Sequence, residues 1–440
     1  MENNKSSLLI YVPVINNRNE YAFDLIFNNI LKLKYKLIDD FELFKSSKEH
    51  KLIYSYTDDY DEEFLFLKAN NLLFEDSIFE IEIDLFNWQS EKVFFKSSEK
   101  SIIPFDIFSA SFYLVSRYEE YLPLKKDKHN RFSAENSIAF KNGFLEKPII
   151  NIWSKLFKIE LIKHFPDLHF GKNKFKFIST IDIDNASAHL QKGFIRNLLS
   201  YFQLILNLNF KEIVKKTKVL AKIEKDPFDN FDFLNKVHEK YNYKPIYFIL
   251  FSKYSKFDKN LSVFNKYFVN LINKISEKYE IAIHPSYYSN RDLKILETEK
   301  LNLENTIGKK INKSRQHYLK IEFPKTYKNL IKIGICEDYS MGYSNYCGFR
   351  AGTCNSFYYF DLEQNIKTNL KIIPFAVMDL CLINNSIINQ KELINRILNN
   401  LKQLESQLVS LWHNDYLNSK NAQNIFEEML KKAKAFEKQN

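Results

Sequence analysis

Apolar residues recur along this chain in two rhythms, and the switch between them divides it into elements. From about residue 175 onward, short runs rich in Ile, Phe, Leu and Val read as buried strands over 175–184, 244–252, 279–286, 315–321, 331–338, 370–379 and 408–414. Between most of them the apolar spacing lengthens to the helical period, as over 229–241, 261–280, 292–307 and 391–408. Seven strands alternating with helices predict an α/β unit with a parallel sheet under a helical cover. The residues upstream have a different texture. Acidic-aromatic sequence at 54–66, an alternating run at 78–84 and a helical stretch at about 106–121 predict a smaller α+β unit over residues 1–168. Turn signals at 165–167 and 171–173 separate it from a second unit over 169–440. Residues 186–225, long and lysine-rich, predict a helical pair inserted between the first two strands, beside the mouth of the sheet.

The first of the seven strands carries the strongest chemical signal. Its apolar run ends in Asp182 and Asp184, which fall on the same side of an extended chain. Two carboxylates that close repel unless a cation, a proton or an arginine lies between them. A metal or acid/base site is one reading; an Asp pair capping the next helix is the other. The other strand segments bring His284, Arg315 with His317, Asp338, Asp379 and His413. Such groups gathered at the C-terminal ends of successive parallel strands are what a closed β/α barrel presents at its catalytic face. Asp379 reads equally well as a support for that site and as a helix N-cap.

Taken in order, Thr180-Ile-Asp-Ile-Asp-Asn185, His284-Pro-Ser-Tyr287, Ser314-Arg-Gln-His-Tyr318, Asp338-Tyr-Ser-Met-Gly-Tyr343, Gly348-Phe-Arg-Ala-Gly-Thr353 and Trp412-His-Asn414 resemble the motifs of polysaccharide deacetylases of the NodB-homology type. The resemblance covers about residues 170–440 and is narrowest to a bacterial subgroup with an extra N-terminal domain, which residues 103–121 also look like. It implies a distorted seven-stranded β/α barrel (NodB-like) that removes N- or O-acetyl groups from sugars with a divalent metal, usually zinc. By the same resemblance Asp182 stands in the place of the catalytic base, Arg315 of the residue that positions it, and His413 of the general acid. Asp184 and His284 stand in the places of metal ligands. The family's second metal-binding His, four residues after the first, is Tyr288 here. Catalytic zinc ordinarily takes three protein ligands, and His317 on the next strand segment is the replacement the sequence offers.

Four of the chain's 8 glycines, Gly334, Gly342, Gly348 and Gly352, fall in one short stretch. Alone they fit tight turns equally well. With Tyr343, Arg350 and the aromatic residues around them they predict a loop that cups a sugar ring. Asp338, Tyr339, Tyr343, Arg350 and Trp412 make up the expected substrate-binding set.

Composition narrows the remaining classes. A net charge of +10 raises anionic partners, but the lysines are spread rather than striped, so nucleic acid is not an expected partner. Weak attraction to an anionic membrane, as a peripheral contact, or to an acidic glycan, chiefly through residues 191–225, is expected instead. Phosphate-binding and dinucleotide-binding glycine motifs are missing. Cys336, Cys347, Cys354 and Cys381 have no metal-site spacing and are expected as free thiols, and His129 as an ordinary surface or structural residue. With no secretory leader in the first residues, a cytoplasmic location is expected, and so an acetylated sugar or glycan precursor as substrate. Two functions stay open: a metal-dependent carbohydrate deacetylase, and a non-catalytic glycan-binding or scaffold protein on the same barrel.

Overall fold

The computed structural model describes residues 7–383, 387–402, 404 and 406–438. Its chain opens with β1 (Leu8–Tyr11), β2 (Tyr35–Ile38), β3 (His50–Ser55) and β4 (Leu65–Lys68), a sheet in the order β2-β1-β3-β4 with every neighbouring pair parallel. Parallel neighbours need crossovers, and the helices Asn17–Phe23 and Phe41–Ser46 supply two of them. This sheet is an α/β arrangement, where the sequence predicted α+β. In β1, Leu8, Leu9 and Ile10 are all buried, as in a parallel strand covered on both faces. Residues 78–84, expected as a strand, pair with no strand; their isoleucines pack on the core, ahead of a hairpin of β5 (Phe86–Trp88) and β6 (Glu91–Val93). The helix expected near 106–121 runs over Ile107–Val115, where the Asp106 carboxylate accepts from the backbone of Phe108 and Ser109.

The larger sheet holds β7 (Lys176–Ile183), β8 (Ile246–Ile249), β9 (Glu280–Ile283), β10 (Lys313–Ser314), β11 (Glu337–Asp338), β12 (Phe357–Asp361), β13 (Ile366–Ile372), β14 (Val377–Met378) and β15 (Gln407–His413). Their order is β12-β13-β11-β10-β9-β8-β7-β15-β14, and every pair is parallel except the β12–β13 hairpin. One segment, 366–378, supplies both β13, beside β11, and β14, beside β15. Register does the positioning. His413 lies opposite Asp182, and Ile183, Ile249 and Ile283 share a row. Asp184, His284 and Arg315 therefore leave their strands at one level.

Two expected strands are mostly something else. In 315–321, Tyr318 and Leu319 have φ of 61° and 51°, which ends the extended chain after β10 and turns it into a short 3-10 segment, His317–Leu319. In 331–338 the alternating isoleucines straddle the end of the helix Lys325–Lys332, and only Glu337–Asp338 pair as a strand. The inserted pair is present as the helices Phe194–Leu206 and Phe210–Leu220.

The N-terminal residues and the larger sheet share one contiguous apolar core. A buried ion network crosses the same boundary. Arg350 donates Nε and Nη2 to the Glu120 carboxylate at 2.9 and 2.6 Å, and Arg117 donates to Glu120 and Glu119 at 2.7 and 2.8 Å. Gly348 allows the close approach: a Cβ there would stand 2.4 Å from the Leu145 carbonyl oxygen. Cys347 and Cys381 are disulfide-bonded, Cα atoms 5.8 Å apart, whereas Cys336 and Cys354 are free. The expectation of four free thiols fails for that pair, which is 34 residues apart in sequence. Among the described residues, no helix is long and apolar enough to cross a membrane.

Candidate metal centre

Asp184, His284 and His317 converge beyond the ends of β7, β9 and β10, with one ligand atom from each lying within 4.8 Å of the others. Each ring is held from behind. His284 Nδ1 lies 2.5 Å from the Arg315 carbonyl oxygen, and His317 Nδ1 lies 2.8 Å from Asp258 Oδ1. Those contacts leave both Nε2 atoms facing Asp184, at 3.2 Å from Oδ1 for His284 and 3.3 Å from Oδ2 for His317. Asp184 Oδ1 and His284 Nε2 are buried and make no hydrogen bond. Tyr288 is 46% exposed and is not part of this group.

Asp182 sits one turn of the pleat below. Its Oδ1 accepts from Arg315 Nη1 at 2.6 Å, and its Oδ2 is 3.8 Å from His284 Nε2. Arg315 is fully buried over the Phe248 ring, with Nε donating to the Tyr339 carbonyl oxygen at 2.9 Å. On the other flank, His413 Nδ1 is 3.0 Å from Asp379 Oδ2, and its backbone N–H donates to the same oxygen at 2.6 Å. Asp379, the first residue of the helix Asp379–Ile383, also accepts from the Leu380 N–H at 2.7 Å. His413 Nε2 is 3.9 Å from Asp184 Oδ2.

The charges are arranged accordingly. Burial opposes ionisation of Asp184, but His317, His284 and His413 outweigh it and hold its carboxyl well below the usual range. Burial likewise disfavours a charged His317, yet Asp184 and Asp258 lift that ring to about 9. For His413, Asp379 first and then Asp184 and Asp182 overcome burial and raise it well above the ordinary histidine value. Asp415 goes the other way: burial pushes it up to about 7, only partly offset by His413.

These groups open into a cavity of about 500 Å³. Its walls include Phe257, Tyr318 and Tyr416 and, from the N-terminal segment, Lys128, His129 and Arg131. His129 lies in that wall, with its ring 4.9 Å from that of Tyr318. Nothing in the sequence near it has a period or a motif. Asp258 was missed for the same reason, lying in the irregular segment Ser255-Lys-Phe-Asp258.

The expected substrate-binding set is not gathered here. Trp412 is 1% exposed and packs on Phe426 at 5.0 Å, on the opposite face of β15 from Leu411 and His413, as strand alternation requires. Tyr339 packs on Phe248 and donates its hydroxyl to Glu337. Asp338 is buried beneath Ser314 and Ser340, which donate to it, and burial raises its pKa. Arg350 gives its donors to Glu120 and to the Gly342 carbonyl oxygen, with its guanidinium 5.1 Å from the centre of the Tyr343 ring. Within the glycine-rich stretch Gly348 and Gly352 pack closely on Leu145 and Leu114, while Ser344 and Asn345 line the cavity.

Residues 8–166 match the sequence model of a family of unknown function, DUF7033. No curated protein matches the chain by sequence. Similar solved structures include a protein of Mycobacterium smegmatis assigned as a polysaccharide deacetylase (14% identity, 60% of this chain and 85% of that one, TM-score 0.39). Another is the polysaccharide deacetylase Bc1974 from Bacillus cereus (11%, 60% and 88%, 0.29). A third is the Puue allantoinase (8%, 60% and 86%, 0.38).

Proposed function

We propose that this protein is a metal-dependent hydrolase that removes acetyl groups from a sugar or glycan precursor. The observation that carries the reading is the Asp184 carboxylate set between the Nε2 atoms of His284 and His317. One carboxylate and two imidazoles fit a divalent ion such as zinc, and the two buried atoms of the set without hydrogen bonds are donors of the right kind. When bound, the ion supplies a Lewis acid that polarises the acyl oxygen and acidifies water.

The chain's own residues supply the proton transfers. With Oδ1 tied to Arg315, Asp182 keeps its other oxygen free to take a proton as water oxygen bonds to the acetyl carbon. His413, held protonated by Asp379, gives a proton to the leaving nitrogen or oxygen as its bond to that carbon breaks. Acetate and the free amine or hydroxyl result.

In this reading the larger sheet is a distorted seven-stranded β/α barrel. The pairing of β13 with β11 and of β14 with β15 supports it, since one segment then joins both ends of the ring. A division near residue 168 belongs to the same reading, supported by the helix Ile149–His164 ending just before β7. The N-terminal part would bind substrate through Lys128, His129 and Arg131 at the cavity wall.

The test is acetate release from a panel of N- and O-acetylated sugars, comparing wild type with Asp182→Asn and His413→Ala. Release by wild type that collapses in both variants supports the hydrolase. Binding of a sugar with no release from any of the panel would favour the glycan-binding alternative.

A further inference from the structure

The hairpin inserted after β7 carries a surface that the site does not use. The helix Phe194–Leu206 has no buried residue, and its seven large apolar side chains other than Leu204 are 52–81% exposed. Ile195, Leu198, Leu199, Phe202 and Leu206 recur at helical spacing, and Phe210 continues the patch on the second helix. Soluble surfaces rarely leave so many adjacent apolar side chains bare without a partner.

Charge identifies the partner. Residues 191–225 contain eight lysine or arginine side chains and two glutamates, a local excess of +6 within the chain's +10. An apolar helical face flanked by lysines is the composition of helices that lie in the headgroup layer of an anionic bilayer. A second copy of the chain fits less well, since pairing two such hairpins would bring like charges together.

The hairpin is also fixed beside the pocket. The Asp226 carboxylate accepts from the backbone of Ala188, His189 and Leu190 and from the Ser187 hydroxyl, at 2.7 to 3.0 Å, which ties its two feet together. Arg196 lies over the Tyr254 ring at 4.0 Å and reaches the carbonyl oxygens of Lys259 and Asn260 at 3.4 Å. Lys259 is itself at the cavity wall.

We propose that residues 191–225 dock the protein on an anionic lipid bilayer, with the apolar face of Phe194–Leu206 at the acyl boundary, its basic side chains among the headgroups and the cavity mouth beside the membrane. The docking is independent of the chemistry assigned to the pocket.

The test is co-sedimentation of the full chain with vesicles of phosphatidylcholine alone and of phosphatidylcholine mixed with phosphatidylglycerol. Wild type is expected to partition onto the mixed vesicles and far less onto the neutral ones. The double variant Leu199→Glu/Phe202→Glu and the quadruple variant Lys211→Gln/Lys215→Gln/Lys218→Gln/Lys222→Gln should each weaken this about tenfold or more. Phe202→Trp provides a readout without loss of the face: its emission should shift to the blue on mixed vesicles. No binding by wild type, binding indifferent to both multiple variants, or an unshifted Trp would overturn the proposal. So would a solution dimer abolished by Leu199→Glu/Phe202→Glu, which would place a second copy on this face.

Discussion

His317 is held between two carboxylates, with Nδ1 2.8 Å from Asp258 Oδ1 and Nε2 3.3 Å from Asp184 Oδ2. Asp258 is itself fixed, accepting from the Ser255 hydroxyl at 2.6 Å and the Tyr287 N–H at 2.9 Å. An outer carboxylate of this kind sets the tautomer and aim of a ligand ring. Asp258→Asn should therefore weaken zinc binding about 10- to 100-fold while the protein stays folded. Competition against a chelator measures this; wild-type affinity in the variant would show that His317 is aimed by something else.

Asp182 and His413 flank the ligand group without belonging to it. With a sugar that wild type hydrolyses, Asp182→Asn should lower kcat by about 10²- to 10⁴-fold and leave metal content unchanged. Loss of metal together with activity would make Asp182 a ligand instead of a base.

The ion network between the two parts of the chain is a stability element. Glu120 faces Arg117 and Arg350, both buried. Glu120→Ala strands the Arg350 guanidinium, leaves Arg117 with Glu119 alone and should cost about 3–5 kcal/mol in denaturant unfolding. A cost below about 1 kcal/mol would mean that water reaches the network.

His238 predicts an acid-labile fold. Burial lowers its pKa from 6.5 to about 4, against a smaller opposing effect of the Leu234 carbonyl, and its Nε2 pairs with the Ser179 hydroxyl. Above the unfolded value both states hold the ring neutral and its contribution is fully present. As pH falls through the window down to about 4, the unfolded chain takes up a proton that the folded one refuses, so stability falls by about 3 kcal/mol. In His238→Gln the difference in unfolding free energy between about pH 7 and about pH 4.5 should shrink accordingly. An identical difference in the variant would show that the ring is not buried neutral.

Sequence pattern revealed the elements whose period is undisturbed. β7, β8 and β9 lie within their expected segments and β15 begins one residue ahead of its own, because a long apolar run ending in a polar group has one simple reading. Where the backbone turns by left-handed residues, as at Tyr318 and Leu319, side-chain alternation persists without a strand and misleads. Asp182, Asp184, His284, Arg315, His317 and His413 were all named from the sequence, and the fold brings them to one place. Trp412 and Tyr339 were named with them, but strand alternation and packing turn their side chains into the core. Arg350 marks the other limit. Its partner Glu120 is 230 residues away, a distance over which a single sequence carries no pairing signal. His129 and Asp258 reach the pocket from irregular loops, where position is set by tertiary packing.

The most direct measurement is metal content by elemental analysis of protein purified without chelators and reconstituted with zinc. Wild type and Tyr288→Ala should carry about one equivalent, lost in both Asp184→Ala and His317→Ala. Full retention in His317→Ala, or no bound metal in wild type after reconstitution, would contradict the Asp184–His284–His317 centre.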